Sequence, residues 1–350
     1  MCGIAGIFGQ TTTPSLPGMA ETMVASLVHR GPDDNGVWVD EDANIALGHR
    51  RLSILDLSLE GHQPMLSADG RYVMVFNGEI YNHSELRVDL EKESESLESK
   101  AWRGHSDTET LLACFSQWGI EKTLERSVGM FAIALWDKLD RKLYLARDRF
   151  GEKPLYYGWV GNAFAFGSEL KALRKCEGFS NSVDRNVLAL YMRYCYVPAP
   201  YSIYQNIFKL EPGCLLTISI GATKQPPSSV PKAPTLNKDF TLERWWSLDS
   251  LISSGVQHQI TDEREAIGML ESRLAEAIRL QSIADVPLGA FLSGGIDSSS
   301  IVALMQKHSS RPVKTFTIGF EEEGFNEATY AKAVAKHLGT EHIELYIASS

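Results

Sequence analysis

The chain has 350 residues, 44% of them hydrophobic, which is enough to bury a sizeable core and, by length, to form roughly two domains. A formal net charge of -10 and a pI near 5.5, without any stripe of clustered Lys and Arg, exclude a protein that grips nucleic acid by its phosphates. Five scattered cysteines, Cys2, Cys114, Cys176, Cys195 and Cys214, form no CxxC pair, which excludes a zinc ribbon and a dense disulfide framework and suits a reducing cytosol.

The opening MCGIAGIFG lacks a basic segment leading into an apolar core, so no signal peptide is read there. No apolar run approaches the roughly 20 residues of a membrane span, and a soluble, cytoplasmic protein is the expectation. From residue 2 to about 215, short apolar runs are broken by Gly, Pro, Asn and Asp. Alternation and a high content of Val, Ile, Phe and Tyr predict strands over 3–8, 45–52, 72–77, 130–137, 142–148, 154–159 and 163–167. Apolar spacing of three to four predicts helices over 19–29 and 108–118, so layered sheets covered by helices are expected. The acidic, Ser-rich stretch LEKESESLESK at 90–100 reads as a solvated insertion. GATKQPPSSVPKAPTLNKD at 221–239 reads as an exposed loop near the domain junction. The first domain is therefore placed at 2–215, with linker and exposed loop over 216–262 and a second domain over 263–350. That second part begins with an amphipathic helix over 263–282, with Ile267, Leu270, Leu274 and Ile278 on one face. Strand 286–292, a glycine turn, helix 298–307 and strand 313–320 follow, an order that predicts an α/β doubly wound parallel sheet.

Cys2 directly follows the initiator Met, so removal of Met1 would leave a thiol and a free α-amine on one residue. An unperturbed amine of this kind has a pKa near 8 and can serve as local base while the thiolate attacks a carboxamide. Five further motifs accompany MCGI: HRGPDD at 29–34, GHRRLSILD at 48–56, FNGEIYN at 76–82, HSDTE at 105–109 and LARDRFGEKPLYY at 145–157. In order and spacing they resemble the class II glutamine amidotransferase domain of asparagine synthetases over essentially all of residues 2–215. The resemblance implies an α+β N-terminal-nucleophile hydrolase fold, an αββα sandwich with Cys2 at the end of the first strand.

An amide under tetrahedral attack develops an oxyanion that needs preorganised donors, and an Asn side chain followed by a Gly N–H supplies two. By the resemblance, Asn77 and Gly78 fill that role beside Cys2. Glutamine must also be held by its α-carboxylate and α-ammonium. The resemblance gives the carboxylate to Arg51, with Leu52, Ser53 and Ile54 around the substrate, and the ammonium to Glu79 and Asp107. Asp107 also lies in a helix-capping signal, Ser106-Asp107 ahead of Glu109. His29 and His49 invite a Cys–His dyad, which an N-terminal cysteine does not need. Arg147, Asp148 and Arg149 read as a structural ion-pair cluster.

SGGIDSS at 293–299, between an apolar strand and a helix, forms a nest and helix N-terminus able to hold an anion. It lacks the Lys of a Walker A loop and resembles the PP-loop of ATP pyrophosphatases. That resemblance implies ATP and Mg²⁺ as cofactors, with Ser293, Gly294, Gly295, Ser298 and Ser299 on the phosphates and Asp297 on the metal. Leu292 and Ile318 match backbone positions that receive adenine. The 27 residues from FTIGF to GTEH, 316–342, keep the family order, and Glu327 and Tyr330 receive no catalytic role. The SGEGxDE signature and the later Lys of the family are absent from these 350 residues, so a fragment or truncated product is expected. For the complete protein, the expectation is ATP-dependent conversion of aspartate to asparagine with glutamine-derived ammonia, through a Cys2 thioester and a β-aspartyl adenylate. Glutamine, aspartate and ATP are then the partners, with a homodimer allowed. The alternatives are a related amidotransferase acting on another carboxylate and a non-catalytic glutamine or nucleotide sensor.

Overall fold

The computed structural model describes residues 1–10, 15–93, 102–322 and 326–348. It divides into two compact units, Met1–Ser253 and Ser254–Ser350.

The first unit opens with β1 (Gly3–Gly9), α1 (Leu16–Ala25), β2 (Asp34–Asp40), β3 (Ile45–Arg51), β4 (Met65–Leu66) and β5 (Tyr72–Ile80). Helices α2 (His83–Glu93), α3 (Asp107–Trp118) and α4 (Ile120–Arg126) follow. The chain then forms β6 (Gly129–Asp137), β7 (Lys142–Arg147), β8 (Tyr156–Val160), β9 (Ala163–Gly167), α5 (Leu170–Leu173) and α6 (Arg185–Tyr194). It continues through β10 (Ile207–Lys209), β11 (Cys214–Ser219), β12 (Thr235–Leu236), β13 (Phe240–Arg244) and α7 (Leu248–Gln257). One sheet has the order β10-β8-β9-β1-β3-β2 and the other β12-β13-β11-β7-β6-β5-β4, with antiparallel pairing in both.

Strand alternation sorts the apolar side chains into three buried layers. Ile4 and Phe8 of β1, Val73 and Val75 of β5, and Ala132, Ala134 and Trp136 of β6 meet between the sheets. The opposite face of the second sheet, with Met74, Phe76, Ile133 and Leu135, packs on α2, α3 and α4. The opposite face of the first, with Ala5, Ile7 and Ala165, packs on α1 and α5. The result is the expected helix–sheet–sheet–helix sandwich, held by burial on both faces of each sheet.

Several expectations are corrected here. The second sheet does not stop at residue 215: β11 runs to Ser219 and pairs with β7 and with β13, which lies inside the expected linker. Within 221–239, β12 pairs with β13, Val230 and Ala233 pack on the inter-sheet core, and Trp159 Nε1 donates to the Ala222 carbonyl at 2.8 Å. Leu90, placed in a solvated insertion, is buried on α2, while 94–100 lies outside the described residues. The helix expected at 19–29 is shifted to Leu16–Ala25, its first turn carrying Pro17, where a missing N–H costs nothing.

The second unit contains α8 (Glu263–Gln281), β14 (Ala290–Phe291), α9 (Ile296–His308), β15 (Lys314–Phe320), α10 (Ala328–Leu338) and β16 (Glu341–Ile347). The sheet order β14-β15-β16 is parallel throughout, with α9 and α10 as its crossovers, the α/β pattern expected. Only two residues of the predicted strand 286–292 pair, and Ile267 and Leu270 of α8 remain exposed.

Candidate active site

The faces that make the inter-sheet core also make the site. Period-two alternation from Ile4 to Cys2, from Val75 to Asn77 and Glu79, and from Leu47 to His49 and Arg51 keeps these residues on the inner faces. At that end the apolar layer gives way to a cavity of about 160 Å³ whose lining includes Cys2, Arg51, Asn77, Glu79, Asp107 and Lys153. Leu52, Ile54 and Gly78 line it as well. Ser53 does not; its N–H donates to Asp33 Oδ2 at 2.8 Å and braces the loop that follows β3.

Cys2 Sγ accepts from the Leu52 N–H at 3.4 Å and lies 3.6 Å from the Leu52 carbonyl. Burial pushes its thiol up, against the Leu52 N–H, which favours the thiolate. Burial pulls the terminal α-amine, here on Met1, below its ordinary value. Arg30 fixes the Cys2 backbone, donating Nε–H to the Cys2 carbonyl at 2.8 Å while pairing with Glu169 at 3.0 Å.

Asn77 is 1% exposed, and neither its Oδ1 nor its Nδ2 has a hydrogen-bond partner among the described residues. A buried amide in that state costs free energy unless a ligand completes it. The neighbouring backbone reinforces this. Gly78 stands opposite Phe131 in the β5–β6 register, but Phe131 exchanges its bonds with Asp148, donating to Asp148 Oδ2 at 3.1 Å and accepting Asp148 N–H at 2.9 Å. The Gly78 N–H therefore points away from β6, as do those of Phe76 and Ile80 on either side. Phe76 N–H is taken by Gln63 Oε1 at 2.7 Å and Ile80 N–H by Asp107 Oδ2 at 2.9 Å. A Cβ at Gly78 would collide with the Met130 carbonyl, so glycine is required there.

Arg51 is buried and donates to the carbonyls of Ser58 at 3.1 Å, of Leu55 at 3.2 Å and of Asp56. It thus shapes the loop roofing the cavity, keeping Nε–H and one Nη1–H for a ligand. A side chain at Gly61 would displace its guanidinium. Asp107 is pushed up to about 6 by burial, against the N–H bonds that it accepts, and Glu79 is raised by burial and then by Asp107. The helix cap is Ser106, whose Oγ accepts Glu109 N–H at 3.2 Å; Asp107 is the first helical residue and looks into the cavity.

The two histidines lie outside the cavity lining. His49 Nε2 is 3.0 Å from the Phe76 carbonyl, to which it donates, and burial pulls its pKa to about 3, so it is a neutral core residue. His29 is exposed beside Glu169 at 2.9 Å and Lys171 at 3.1 Å. The expected ion pairs of the Arg147, Asp148 and Arg149 cluster are not found among the described residues. Arg147 donates to the carbonyls of Lys153, Leu210 and Gly151, and Arg149 to those of Ser127 and Glu125. Asp148 accepts side-chain bonds from the N–H groups of Phe131, Phe150, Glu152 and Lys153. Sequence reasoning gave no role to Lys153, a buried cation in the lining; its one signal was membership of the motif at 145–157.

In the second unit the loop after β14 turns through Gly294 at φ +81°, where a Cβ would lie 2.7 Å from Tyr330 Cβ. Ser293 Oγ bonds Ser298 Oγ at 2.8 Å and accepts Gly295 N–H at 3.3 Å, closing the loop onto the first turn of α9, which carries Asp297. Ser299 Oγ is buried without a partner among the described residues. Leu292 is buried; its N–H bonds the Phe316 carbonyl at 2.9 Å and its carbonyl accepts Thr317 Oγ1. Ile318 is exposed and lies past the last β14 pairing, Phe291 with Phe316. No group of three or more metal-ligating side chains occurs among the described residues, and none of their helices is long and apolar enough to cross a membrane.

Residues 1–227 match the family described as glutamine amidotransferase domain, and residues 269–350 match asparagine synthase. Asparagine synthetase [glutamine-hydrolyzing] 1 of Bacillus subtilis is 36% identical over 351 residues, covering 99% of this chain and 50% of that protein. A relative from Mycobacterium tuberculosis is 39% identical over 325 residues, covering 90% of this chain and 46% of its own. The chain thus spans about half the length of these relatives. Its residues 269–350 are similar to the asparagine synthase family, and because the first match spans both sheets up to β11 and the whole Cys2 cavity, the chain belongs to the glutamine amidotransferase family.

Proposed function

We propose that the first unit hydrolyses glutamine and that its ammonia serves ATP-dependent synthesis of asparagine from aspartate. The observation that carries the first step is the unpartnered Asn77 amide beside Cys2 in a cavity sized for one amino acid. With Met1 removed, the Cys2 α-amine accepts the thiol proton and Sγ bonds to the γ-carbonyl carbon of glutamine. Asn77 Nδ2–H and Gly78 N–H face the oxygen that becomes negative. The C–N bond then breaks, the proton on the amine passes to the departing nitrogen, and ammonia leaves a thioester. Water cleaves that thioester to glutamate and the free thiol. Arg51 supplies its remaining N–H donors to the α-carboxylate, within the walls of Leu52 and Ile54, while Glu79 and Asp107 receive the α-ammonium.

For the second unit, the closed serine loop, the orphan Ser299 hydroxyl and the N-terminal turn of α9 fit a phosphate chain. Ser293, Gly294, Gly295, Ser298 and Ser299 would hold it, Asp297 would offer a carboxylate to Mg²⁺, and the edge at Leu292 and Ile318 would take adenine. ATP would supply activation of a carboxylate by adenylation. The choice of aspartate is supported by the name of the B. subtilis relative. The test is glutamate release by the purified chain against a Cys2→Ala control; a wild-type chain no more active than the control would end the glutaminase reading.

A further inference from the structure

Lys153 is 6% exposed, lines the cavity with Cys2, and has no hydrogen bond or ion pair for its Nζ among the described residues. Its backbone is clamped on both sides, since its carbonyl accepts Arg147 Nε–H at 2.7 Å and its N–H donates to Asp148 Oδ2 at 3.1 Å. A lysine mounted on a clamped backbone without a counterion directs its charge at whatever occupies the cavity, while burial pulls its pKa below the ordinary lysine value. Resting on the glutaminase reading above, we propose that Lys153 is a positioning residue whose ammonium keeps the Cys2 α-amine neutral and ready to accept the thiol proton.

Four charged or titratable groups act on the terminal amine, which stands on Met1 one residue before Cys2: Cys2, Arg30, Lys153 and Glu79. Burial opposes its protonation most, a Cys2 thiolate favours it, Arg30 and then Lys153 oppose it, and Glu79 favours it. Asp107 and Arg51 act on the Cys2 thiol from the cavity walls. Arg30 is compensated by Glu169 at 3.0 Å, so its field at the amine is blunted. Lys153 has Glu79, Glu152, Arg30 and Asp148 in its wider surroundings but no carboxylate within ion-pair distance among the described residues. Its charge is therefore the uncompensated one. An α-amine ordinarily titrates near pH 8; burial already lowers the terminal amine, and an uncompensated cation beside it lowers it further.

The experiment measures glutaminase kcat/KM against pH for wild type, Lys153→Met and Lys153→Arg, with Met1 removal checked by mass spectrometry. The ascending limb should move up by about one pH unit in Lys153→Met, the effect of one charge removed at moderate distance in a partly polar site. Lys153→Arg, which keeps the charge and cannot itself act as a base, should restore the wild-type limb. The pH dependence of Cys2 alkylation by iodoacetamide should shift the same way and gives a readout in variants too slow for turnover. An unmoved limb in Lys153→Met, with only KM for glutamine raised, would make Lys153 a mere counter-charge to Glu79 and overturn the proposal, as would failure of Lys153→Arg to restore it. Absence of activity in wild type would instead refute the glutaminase reading.

Discussion

Asn77→Ala separates a catalytic amide from a structural one, because the two roles move stability and turnover in opposite ways. Both polar atoms of the side chain are buried and unpartnered, so the substitution breaks no native hydrogen bond. It removes a desolvated amide whose unsatisfied state costs about 1–3 kcal/mol. The volume lost adjoins an existing cavity, so little new void is created in the packed core. Stability should therefore hold or rise by up to about 1 kcal/mol. Turnover should fall about 10²- to 10³-fold, the 2.7–4 kcal/mol attached to loss of one oxyanion donor. Chemical denaturation gives the first quantity and glutamate release by the purified chain gives the second. Turnover within a few-fold of wild type, or a loss of stability above about 1 kcal/mol, would refute the reasoning, since it would mean that the amide has a structural partner.

The other predictions concern the nucleophile, the substrate anchors and the phosphate loop. Cys2→Ala should abolish glutamine hydrolysis with the unit still folded, and a chain that retains Met1 should behave likewise in the same assay. Burial raises Asp107 in the folded state to about 6 from 3.8, so its contribution to stability is complete below the unfolded value and is lost as pH rises through about 6. Asp107→Asn should accordingly gain on wild type across that window, by an amount of order 2–3 kcal/mol, in denaturation measured at each pH. Arg51→Ala should raise KM for glutamine and increase proteolysis of the loop after β3, because three loop carbonyls lose their donor. Gly294→Ala forces a Cβ into a left-handed position against Tyr330 and should weaken pyrophosphate binding measured by calorimetry.

Much of the sandwich is legible in the chain because alternation is a local signal. Val73, Val75, Asn77 and Glu79 announce one face of a strand that turns polar at its end. The motifs around Cys2, Arg51 and Asn77 marked the residues, but their convergence on one cavity is a product of two sheets meeting face to face. Lys153 escaped notice because a lysine in a turn is ordinarily solvated; only tertiary packing buries it. The ion pairs expected among Arg147, Asp148 and Arg149 fail for a local reason, since adjacent residues on an extended chain point to opposite sides. Arg147 and Asp148 instead hold backbone groups of the segment between β7 and β8, and Arg149 holds the carbonyls of Ser127 and Glu125 at the end of α4. β13 was missed because the residues before it, rich in Pro and Ser, carry no period, yet they return the chain to the edge of β11.

The alternation along β5 has a genetic consequence. Asn77 reaches the cavity because it stands two positions after Val75, and Glu79 two after that, so the site is encoded by parity within the strand. Losing a single codon between Val75 and Asn77 would leave nearly every apolar residue of β5 still in a strand. It would remove Phe76, turn the amide and the carboxylate toward α3, and bring Gly78 and Ile80 to the inner face. Such a protein could retain a helix-covered sandwich while its glutamine cavity was lined on that side by hydrocarbon. Length changes here are tolerable to the chemistry only in pairs, whereas the turns at either end of the strand are free of that arithmetic.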